Sequence, residues 1–360
     1  MKPLRLGLVG VTHPHTSGRL LAMLRTGLFE AVGGADESAA GAAFLRHFNI
    51  PRKTADEILD DPEIDVVLVC GSSHRMSGDS VRALKSGKHV LVEKPAGQTV
   101  LDLLALRDAA EQSGKVCQVG YGKRVSTIVA TAIDIIKSGI LGRVINARFH
   151  SGCSFDEAAS DFANAPGELG GAFWIIGGHF VDVVLCAFGV PVAVNARAPK
   201  FQGFKEARFR EDAVSATLSY EDYVVSLDFN SWDPFPWNES WTISAYGTNG
   251  ELHASLLPAK LEINLVEGRA GYPAGRHVPF EAKTNVAWSG ERTEYSPEIR
   301  VVNNTEQFDI EIKGFIDSIR GDQTCTAKAG DALNVARVIQ ACFDSSSRHG
   351  AEVCITPCER

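Results

Sequence analysis

Lys94 is the side chain whose position in the sequence most directly indicates chemistry. It comes two residues after an apolar run, His89–Val92, and Pro95 restrains the backbone that follows it. Doubly wound α/β sheets place their ligands at the carboxyl ends of such strands. A lysine held among apolar groups loses hydration, which lowers its pKa, so it could exchange a proton with a substrate hydroxyl near neutral pH. The structural alternative is a surface ion pair between Glu93 and Lys94.

His179 and Asp182 carry the ionisable groups of a second candidate site. They lie in a helix predicted over residues 172–188, which is otherwise apolar, and positions 175, 179, 182 and 186 share one face at helical spacing. An imidazole there could move a proton at a substrate oxygen, with Asp182 orienting the ring. The alternative is a core histidine whose hydrogen bond is made by Asp182.

A phosphate-binding loop is indicated after the first predicted strand, Leu4–Val9. In the motif G-x-G-x-x-G the glycines allow a tight turn, close approach to a pyrophosphate and close packing of the following helix. Gly10 fills the first position, whereas Thr12 and His15 stand at the second and third, with His13 between them. The context of a strand before the loop and a helix after it therefore predicts a dinucleotide site with only its first glycine kept.

Asp36 ends the second predicted strand, Phe29–Ala35, and lies 36 − 10 = 26 residues beyond Gly10. A carboxylate at about this offset accepts hydrogen bonds from the adenosine ribose and repels a 2′-phosphate. Asp36 and the neighbouring Glu37 therefore predict NAD rather than NADP as the cofactor. A role in the turn or as a helix cap is the alternative for Asp36.

His13 and His15 also form an H-x-H pattern after a strand, which suits zinc, iron or nickel. Further ligands would have to come from residues such as His74, His179 or Asp182. A metal-dependent lyase or hydrolase is one hypothesis, although the favoured interpretation contains no metal and leaves both histidines at a helix start near a bound phosphate.

The elements that must position these residues follow from hydrophobic periodicity. Short apolar strands alternate with helices over about the first 120 residues, which indicates an α/β domain with a doubly wound parallel sheet over residues 1–122. Residues 123–360 are then predicted to form an α+β domain with an open, mostly antiparallel sheet. Its predicted strands include Val144–His150, Ala213–Ser219, Val224–Phe229 and Trp241–Tyr246, and residues 264–304 are expected to be irregular.

Composition narrows the class of protein further. The 360 residues contain 36 Lys and Arg against 44 Asp and Glu, a net charge of −8, which argues against a nucleic-acid binder. The N-terminus has no signal-like apolar segment, and no apolar run approaches the length of a membrane span. Eight cysteines are scattered without a CxxC pair, as expected of reduced thiols in a cytoplasmic protein that binds a small molecule.

The segment Gly87–Pro95, with the sequence GKHVLVEKP, resembles a specific family. It matches every fixed position of the G-K-H-V-x-x-E-K-P block of the Gfo/Idh/MocA oxidoreductases, the relatives of glucose–fructose oxidoreductase and inositol dehydrogenase. Three further segments are also similar to that family, so the resemblance extends over nearly the whole chain. They are Ser138–Val144, Ala245–Leu252, and Gly170-Gly171 followed by His179–Asp182.

The resemblance implies that the first domain is a Rossmann domain. It also implies an NAD-dependent oxidoreductase that moves a hydride between nicotinamide and a sugar, a polyol or a related hydroxy compound. It implies a catalytic Lys94 and His179, with Asp182 also at the substrate. It further implies a homodimer or homotetramer assembled through the second-domain sheet. With the loop residues above, the expected cofactor-binding set is Gly10, Thr12, His13, Asp36, Ser72, Glu93, Lys94 and Arg124.

The sequence departs from the family pattern at several places. Ile175 stands where relatives that oxidise polyols carry an aspartate, four residues before His179. Ser72, Ser73 and Met76 replace a Pro-Asn-x-x-His pattern on the nicotinamide side. These departures keep open a non-catalytic family member that binds a nucleotide or a sugar-like ligand. If the protein is an enzyme, they predict a substrate different from simple inositols.

Overall fold

The computed structural model describes residues 2–153, 163–169, 171–200, 211–231, 240–256, 259–281 and 304–355. Gly170, which contributes to the resemblance, lies outside them. The chain divides into two compact units. The first comprises Met1–Gly122, Pro166–Leu169 and Thr305–Ala336, and the second comprises Lys123–Ala165, Gly170–Asn304 and Arg337–Arg360.

The first unit is built on a parallel sheet of five strands in the order β2-β1-β3-β4-β5. The apolar runs predicted as strands form it, as expected for strands covered on both faces. The strands are β1 (Leu4–Val9), β2 (Phe29–Ala35), β3 (Val66–Val69), β4 (His89–Val92) and β5 (Cys117–Val119). The helices between them are α1 (Thr16–Arg25), α2 (Ala39–His47), α3 (Ala55–Leu59), α4 (Ser73–Lys85) and α5 (Val100–Ser113). The predicted Rossmann architecture is confirmed.

A helix from near the end of the chain completes the core of this unit. Its apolar face packs into the cluster that contains Leu6, Leu8 and Leu20, and full burial of such a side chain contributes about 1.5–3 kcal/mol. The helix is α8 (Asn304–Arg320), and its core residues are Phe308, Ile312, Phe315 and Ile316. The domain boundary predicted after residue 122 would assign α8 to the second domain, whereas its side chains fill the core of the first unit.

The second unit contains a nine-stranded sheet in the order β13-β12-β11-β10-β6-β9-β8-β7-β14. Its neighbouring strands are antiparallel except β6 and β9, so the predicted mostly antiparallel sheet is confirmed. The strands are β6 (Val144–Gly152), β7 (Ala193–Arg197), β8 (Ala213–Ser219), β9 (Val224–Asn230), β10 (Ser240–Gly247), β11 (Gly250–Leu256), β12 (Ala259–Leu265), β13 (Gly275–Glu281) and β14 (Val353–Cys354).

Two helices lie against this sheet and a third follows later in the chain. They are α6 (Thr127–Lys137), α7 (Gly178–Phe188) and α9 (Ala329–Ser347). Phe180 of α7 contacts the rings of Phe149 on β6 and Trp241 on β10. The helix predicted over residues 172–188 begins instead with a π-helical turn, Phe173–Gly177. Within the described part of the chain, no helix is long and apolar enough to cross a membrane.

Candidate functional site

A cavity of about 740 Å³ opens at the carboxyl edge of the parallel sheet. Among the residues that line it are four of the predicted cofactor-binding set: Gly10, Thr12, Asp36 and Ser72. Gly10 has φ +69°, and a Cβ there would lie 2.2 Å from the Cα of Gly71, beyond β3. Only glycine allows this close approach of the two loops, so the one glycine kept from the motif is the one the backbone requires.

Asp36 ties the phosphate loop to the start of α2. Its Oδ2 accepts a hydrogen bond from Val11 N–H at 3.0 Å, and its Oδ1 accepts from the N–H and the hydroxyl of Ser38 at 2.9 and 2.6 Å. Ser38 in turn caps α2 by accepting from Gly41 N–H. The turn role considered for Asp36 is therefore present. Each carboxylate oxygen can accept more than one hydrogen bond, so the carboxylate also retains capacity for ribose hydroxyls.

Arg52 is a cavity residue that the sequence pattern did not reveal. The chain after α2 returns to β2 through a parallel bridge between Gly34 and Arg52, and Lys53 N–H donates to Gly34 O at 2.9 Å. Arg52 then donates from Nη2 to the backbone oxygen of Asp36 at 3.2 Å. No arginine follows Asp36 within its own turn, yet the fold brings a guanidinium beside it.

Ser72 and His74 form the neighbouring wall, beyond β3. Ser72 occupies the N-cap position of α4, and its hydroxyl lies 3.0 Å from Nδ1 of His74. Met76, at a position where the family pattern carries a histidine, is buried in the same helix. The altered loop therefore offers hydroxyl and imidazole groups to the cavity.

Beneath the phosphate loop lies a network of buried charged side chains, which is centred on Arg19 of α1. Its guanidinium contacts Glu93 Oε1 and donates to both carboxylate oxygens of Glu311 on α8, at 2.7 and 3.1 Å. Burial opposes ionisation of Glu93, but Arg19, His13 and His15 outweigh it and hold the pKa of Glu93 well below its ordinary value. For Glu311 burial prevails, and its pKa is raised.

His13 and His15 face this network. His15 Nδ1 lies 2.8 Å from Glu93 Oε1, and His13 Nδ1 lies 3.7 Å from the same oxygen. Burial lowers the pKa of His13 well below 6.5, although Glu93 acts in the opposite direction. Ligand atoms of the three residues lie within 4.8 Å of one another, as a cation site requires. The third donor is thus Glu93, which the H-x-H pattern did not indicate, and the guanidinium of Arg19 on the same oxygen opposes a cation.

Lys94 lies just beyond β4 and is 3% exposed. Its backbone N–H donates to Glu93 Oε2 at 2.7 Å. The two oxygens of Glu93 therefore have separate partners, since Oε1 faces Arg19 and Oε2 holds the lysine backbone. The surface ion pair considered as an alternative is wrong, because both residues are buried. The cofactor-binding role expected of Glu93 stays a prediction, and its carboxylate also anchors the segment that carries Lys94.

In the second unit, His179 and Asp182 are buried on α7. Arg124, in a short 3₁₀ turn before α6, contacts both carboxylate oxygens of Asp182, with Nε 2.9 Å from Oδ2. Asp182 is thus bound bidentately by Arg124, a strong type of ion pair. The π-helical turn ends at Gly177, so Ile175 precedes α7 and the predicted face from 175 to 186 is interrupted.

The comparisons with known proteins agree with this architecture. Residues 4–121 match the oxidoreductase family model for the NAD-binding Rossmann fold of Gfo/Idh/MocA proteins. Residues 129–253 match the C-terminal domain of the same family. Together the matches cover more than half of the chain. The protein belongs to the Gfo/Idh/MocA family of oxidoreductases, and its Rossmann unit is of the NAD-binding type.

The sequence identity between this chain and individual relatives is low. The chain is 26% identical over 253 residues to the uncharacterized oxidoreductase YhhX of Escherichia coli (strain K12), across 68% of this chain and 69% of that protein. It is 25% identical over 301 residues to the scyllo-inositol 2-dehydrogenase (NADP(+)) IolW of Bacillus subtilis (strain 168), across 81% and 79%. The structure of levoglucosan dehydrogenase with NADH and levoglucosan has a TM-score of 0.81 at 22% identity, over 99% of this chain and 100% of that one. This last likeness establishes the fold.

Proposed function

We propose that the protein is an NAD-dependent dehydrogenase of a sugar, a polyol or a related hydroxy compound, with Lys94 as the acid/base. The observation that carries the proposal is the position of Lys94, buried just beyond β4 and anchored through its backbone by Glu93. In alcohol oxidation a base must remove the hydroxyl proton while hydride leaves for the nicotinamide. An amine at the carboxyl edge of the parallel sheet supplies that base.

Residues around the cavity fit the adenosine half of the cofactor. Gly10, Thr12 and Asp36 line the cavity. We assign Gly10 and Thr12 to the pyrophosphate and Asp36 to the ribose, because Rossmann folds hold these groups after the first and second strands. His13, Ser72, Glu93 and Lys94 complete the proposed cofactor set on the first unit. The relatives fit a polyhydroxy substrate, because IolW is named for scyllo-inositol and a neighbouring structure for levoglucosan.

The test is a fluorescence titration with NADH, followed by a screen of sugars and polyols with NAD⁺. Saturable NADH binding with reduction of NAD⁺ by at least one polyhydroxy compound is expected. Binding without turnover of any compound would favour the non-catalytic alternative instead. Elemental analysis of the purified protein tests the metal-dependent hypothesis, because His13, His15 and Glu93 lie close enough together to hold a cation even though Arg19 occupies the same carboxylate oxygen.

His179 is the second side chain proposed to take part, with Asp182 and Arg124 supporting its helix. Exchange of His179 for alanine should lower turnover. Ile175 presents an apolar side chain where polyol-oxidising relatives carry a carboxylate, so we expect poor turnover of myo-inositol. Strong oxidation of myo-inositol by the unmodified protein would overturn this part of the proposal.

We also propose assembly into a homodimer or homotetramer through the second-unit sheet. Ile145 on β6 and Val224 on β9 are 56% and 43% exposed on adjacent strands. Sedimentation velocity of the purified chain tests this, and a monomer at micromolar concentration would contradict it.

A further inference from the structure

The first turn of α4 begins at the carboxyl edge of the parallel sheet, where Ser72 and His74 line the cavity. The first amides of a helix have no acceptor within the helix, and a serine at the N-cap position ordinarily serves one of them with its hydroxyl. Ser72 occupies that position with extended backbone, φ −69° and ψ 148°, yet among the described residues its hydroxyl makes no capping bond. Other groups must therefore accept from these amides.

The acceptors come from the segment Pro166–Leu169, here called the capping segment, which belongs to the first unit. Glu168 Oε1 accepts from Ser73 N–H at 3.2 Å, and its Oε2 accepts from the Ser73 hydroxyl at 2.5 Å. The backbone oxygen of Gly167 accepts from His74 N–H at 3.1 Å. The first two amides of α4 are therefore capped by residues more than 90 positions further along the chain.

The capping segment fits closely against α4 and the start of α5. Gln98 Nε2 donates to Gly167 O at 2.7 Å, so this oxygen accepts from two donors. Gly167 has φ +89°, and a Cβ there would lie 2.2 Å from Nδ1 of His74. Only glycine lets the backbone approach the amide of His74 so closely. Glu168 is then the side chain that fastens the segment to Ser73.

The Ser72 hydroxyl lies at the cavity because α4 does not need it. The second amide of a helix, here His74 N–H, is one that an N-cap hydroxyl ordinarily serves, and Gly167 O already accepts from it. The third amide, Arg75 N–H, donates to the backbone oxygen of Ser72 at 3.0 Å. The hydroxyl lies instead 3.0 Å from Nδ1 of His74. Without the capping segment, rotation of the Ser72 side chain would bring its hydroxyl onto the vacated amide.

We propose that Glu168 is a positioning residue for the cofactor, an inference that rests on the proposed function. It holds the capping segment on α4 and thereby keeps the Ser72 hydroxyl at the cavity, where the hydroxyl forms a hydrogen bond with NADH. Glu168 and NADH are both negatively charged, so removal of the Glu168 charge alone would strengthen binding. Loss of its positioning role weakens binding, and the two explanations therefore predict opposite results.

The first experiment is a double-mutant cycle in NADH affinity, measured by fluorescence titration. Ser72→Ala removes the hydroxyl, and Glu168→Ala removes the anchor of the capping segment. Each variant should raise the dissociation constant of NADH about three- to tenfold, the contribution of one hydrogen bond. The double variant should bind no more weakly than the weaker single variant, because both changes act through the same hydroxyl. Effects that multiply in the double variant, or tighter binding by Glu168→Ala, would overturn the proposal.

Two further variants separate position from charge. Glu168→Gln keeps an oxygen that can accept from Ser73, so it should retain most of the NADH affinity. Gln98→Ala removes the other side-chain bond to the capping segment without a change of charge, and it should weaken NADH binding as Glu168→Ala does. The matched control is Glu111→Ala, which removes an exposed carboxylate on α5 and should leave the affinity unchanged. A full loss in Glu168→Gln with no effect of Gln98→Ala would assign the effect to charge and overturn the proposal.

A second readout does not require NADH. Hydrogen–deuterium exchange of the peptide that contains the start of α4 reports whether Ser72 and the capping segment substitute for each other. Exchange should rise slightly in each single variant, Ser72→Ala or Glu168→Ala, and about five- to tenfold in the double variant, as expected of a lost cap. Equal exchange in the single and double variants would contradict the proposal. If the unmodified protein binds no NADH, the proposed function fails, and the exchange measurement alone decides whether the two groups substitute for each other.

Discussion

Glu93 accepts the backbone N–H of Lys94 on Oε2, at 2.7 Å, while Oε1 of the same carboxylate contacts the guanidinium of Arg19. Both side chains of this ion pair are buried. The carboxylate therefore couples the fold of the first unit to the position of the proposed base. Loss of its charge should affect stability and the placement of Lys94 together.

Exchange of Glu93 for glutamine tests the structural half of this relationship. Among the described residues Arg19 would then keep Glu311 alone as a buried counter-charge, so we expect a loss of about 3 kcal/mol in the free energy of unfolding. Urea denaturation measures it. Asp56→Asn is the control, since the Asp56–Arg82 ion pair is at the surface and its loss should change stability little. A Glu93→Gln protein as stable as the original would mean that this network does not hold the fold.

The buried His13 should make stability depend on pH. Its pKa is well below 6.5 in the folded protein, because burial, opposed by Glu93, disfavours the imidazolium; His15, Lys94 and Arg19 lower it further. The unfolded chain therefore binds more protons, so the free energy of unfolding falls as pH drops below 6.5 toward the folded pKa.

His13→Asn should reduce the pH slope of the unfolding free energy between about pH 6.5 and 5, measured by denaturation at each pH. His47→Asn, at an exposed position on α2, serves as the control and should leave the slope unchanged. An identical slope in the His13 variant would show that folding does not change the pKa of this ring and would contradict the prediction.

Asp36 should favour NADH over NADPH, because a 2′-phosphate would approach its carboxylate. Asp36→Ser should shift the ratio of the two dissociation constants toward NADPH by about tenfold or more, measured by fluorescence titration. Arg52 lies beside Asp36, so Arg52→Ala in the same background should reverse part of the gain. Tighter binding of NADPH than NADH by the unmodified protein would contradict the prediction.

The elements of both sheets were predictable because burial leaves a local signal. Strands covered on two faces, such as β3, are continuous apolar runs, and β8 alternates buried residues with more accessible ones over its predicted bounds, Ala213–Ser219. One exception is β13, in a region expected to be irregular. Its side chains are mostly exposed and include Pro279, as at a sheet edge, so no periodicity marks it.

The site was predictable only in part. Gly10, Asp36 and Lys94 each come just after a predicted strand of the parallel sheet. Because parallel strands all end at the same edge, their places at its carboxyl edge could be predicted as well. The network around Arg19 could not be foreseen, since Arg19 and Glu311 are 292 residues apart in sequence and no local pattern joins them. Arg52 was missed for a similar reason, because a single bridge to β2 places it.

Lys94→Ala is the most direct test of the proposed chemistry. The segment around Lys94 is held through the backbone N–H, which alanine keeps, so the fold and NADH affinity should persist. Loss of the amine should lower kcat/KM by about 10²–10⁴-fold, the usual contribution of a general acid or base. Lys94→Arg keeps the positive charge but does not give up a proton near neutral pH, so it should be impaired to a similar extent. Steady-state kinetics beside an NADH titration separates these effects. Near-normal turnover in either variant would leave Lys94 a structural cation and assign the proton transfer to another group.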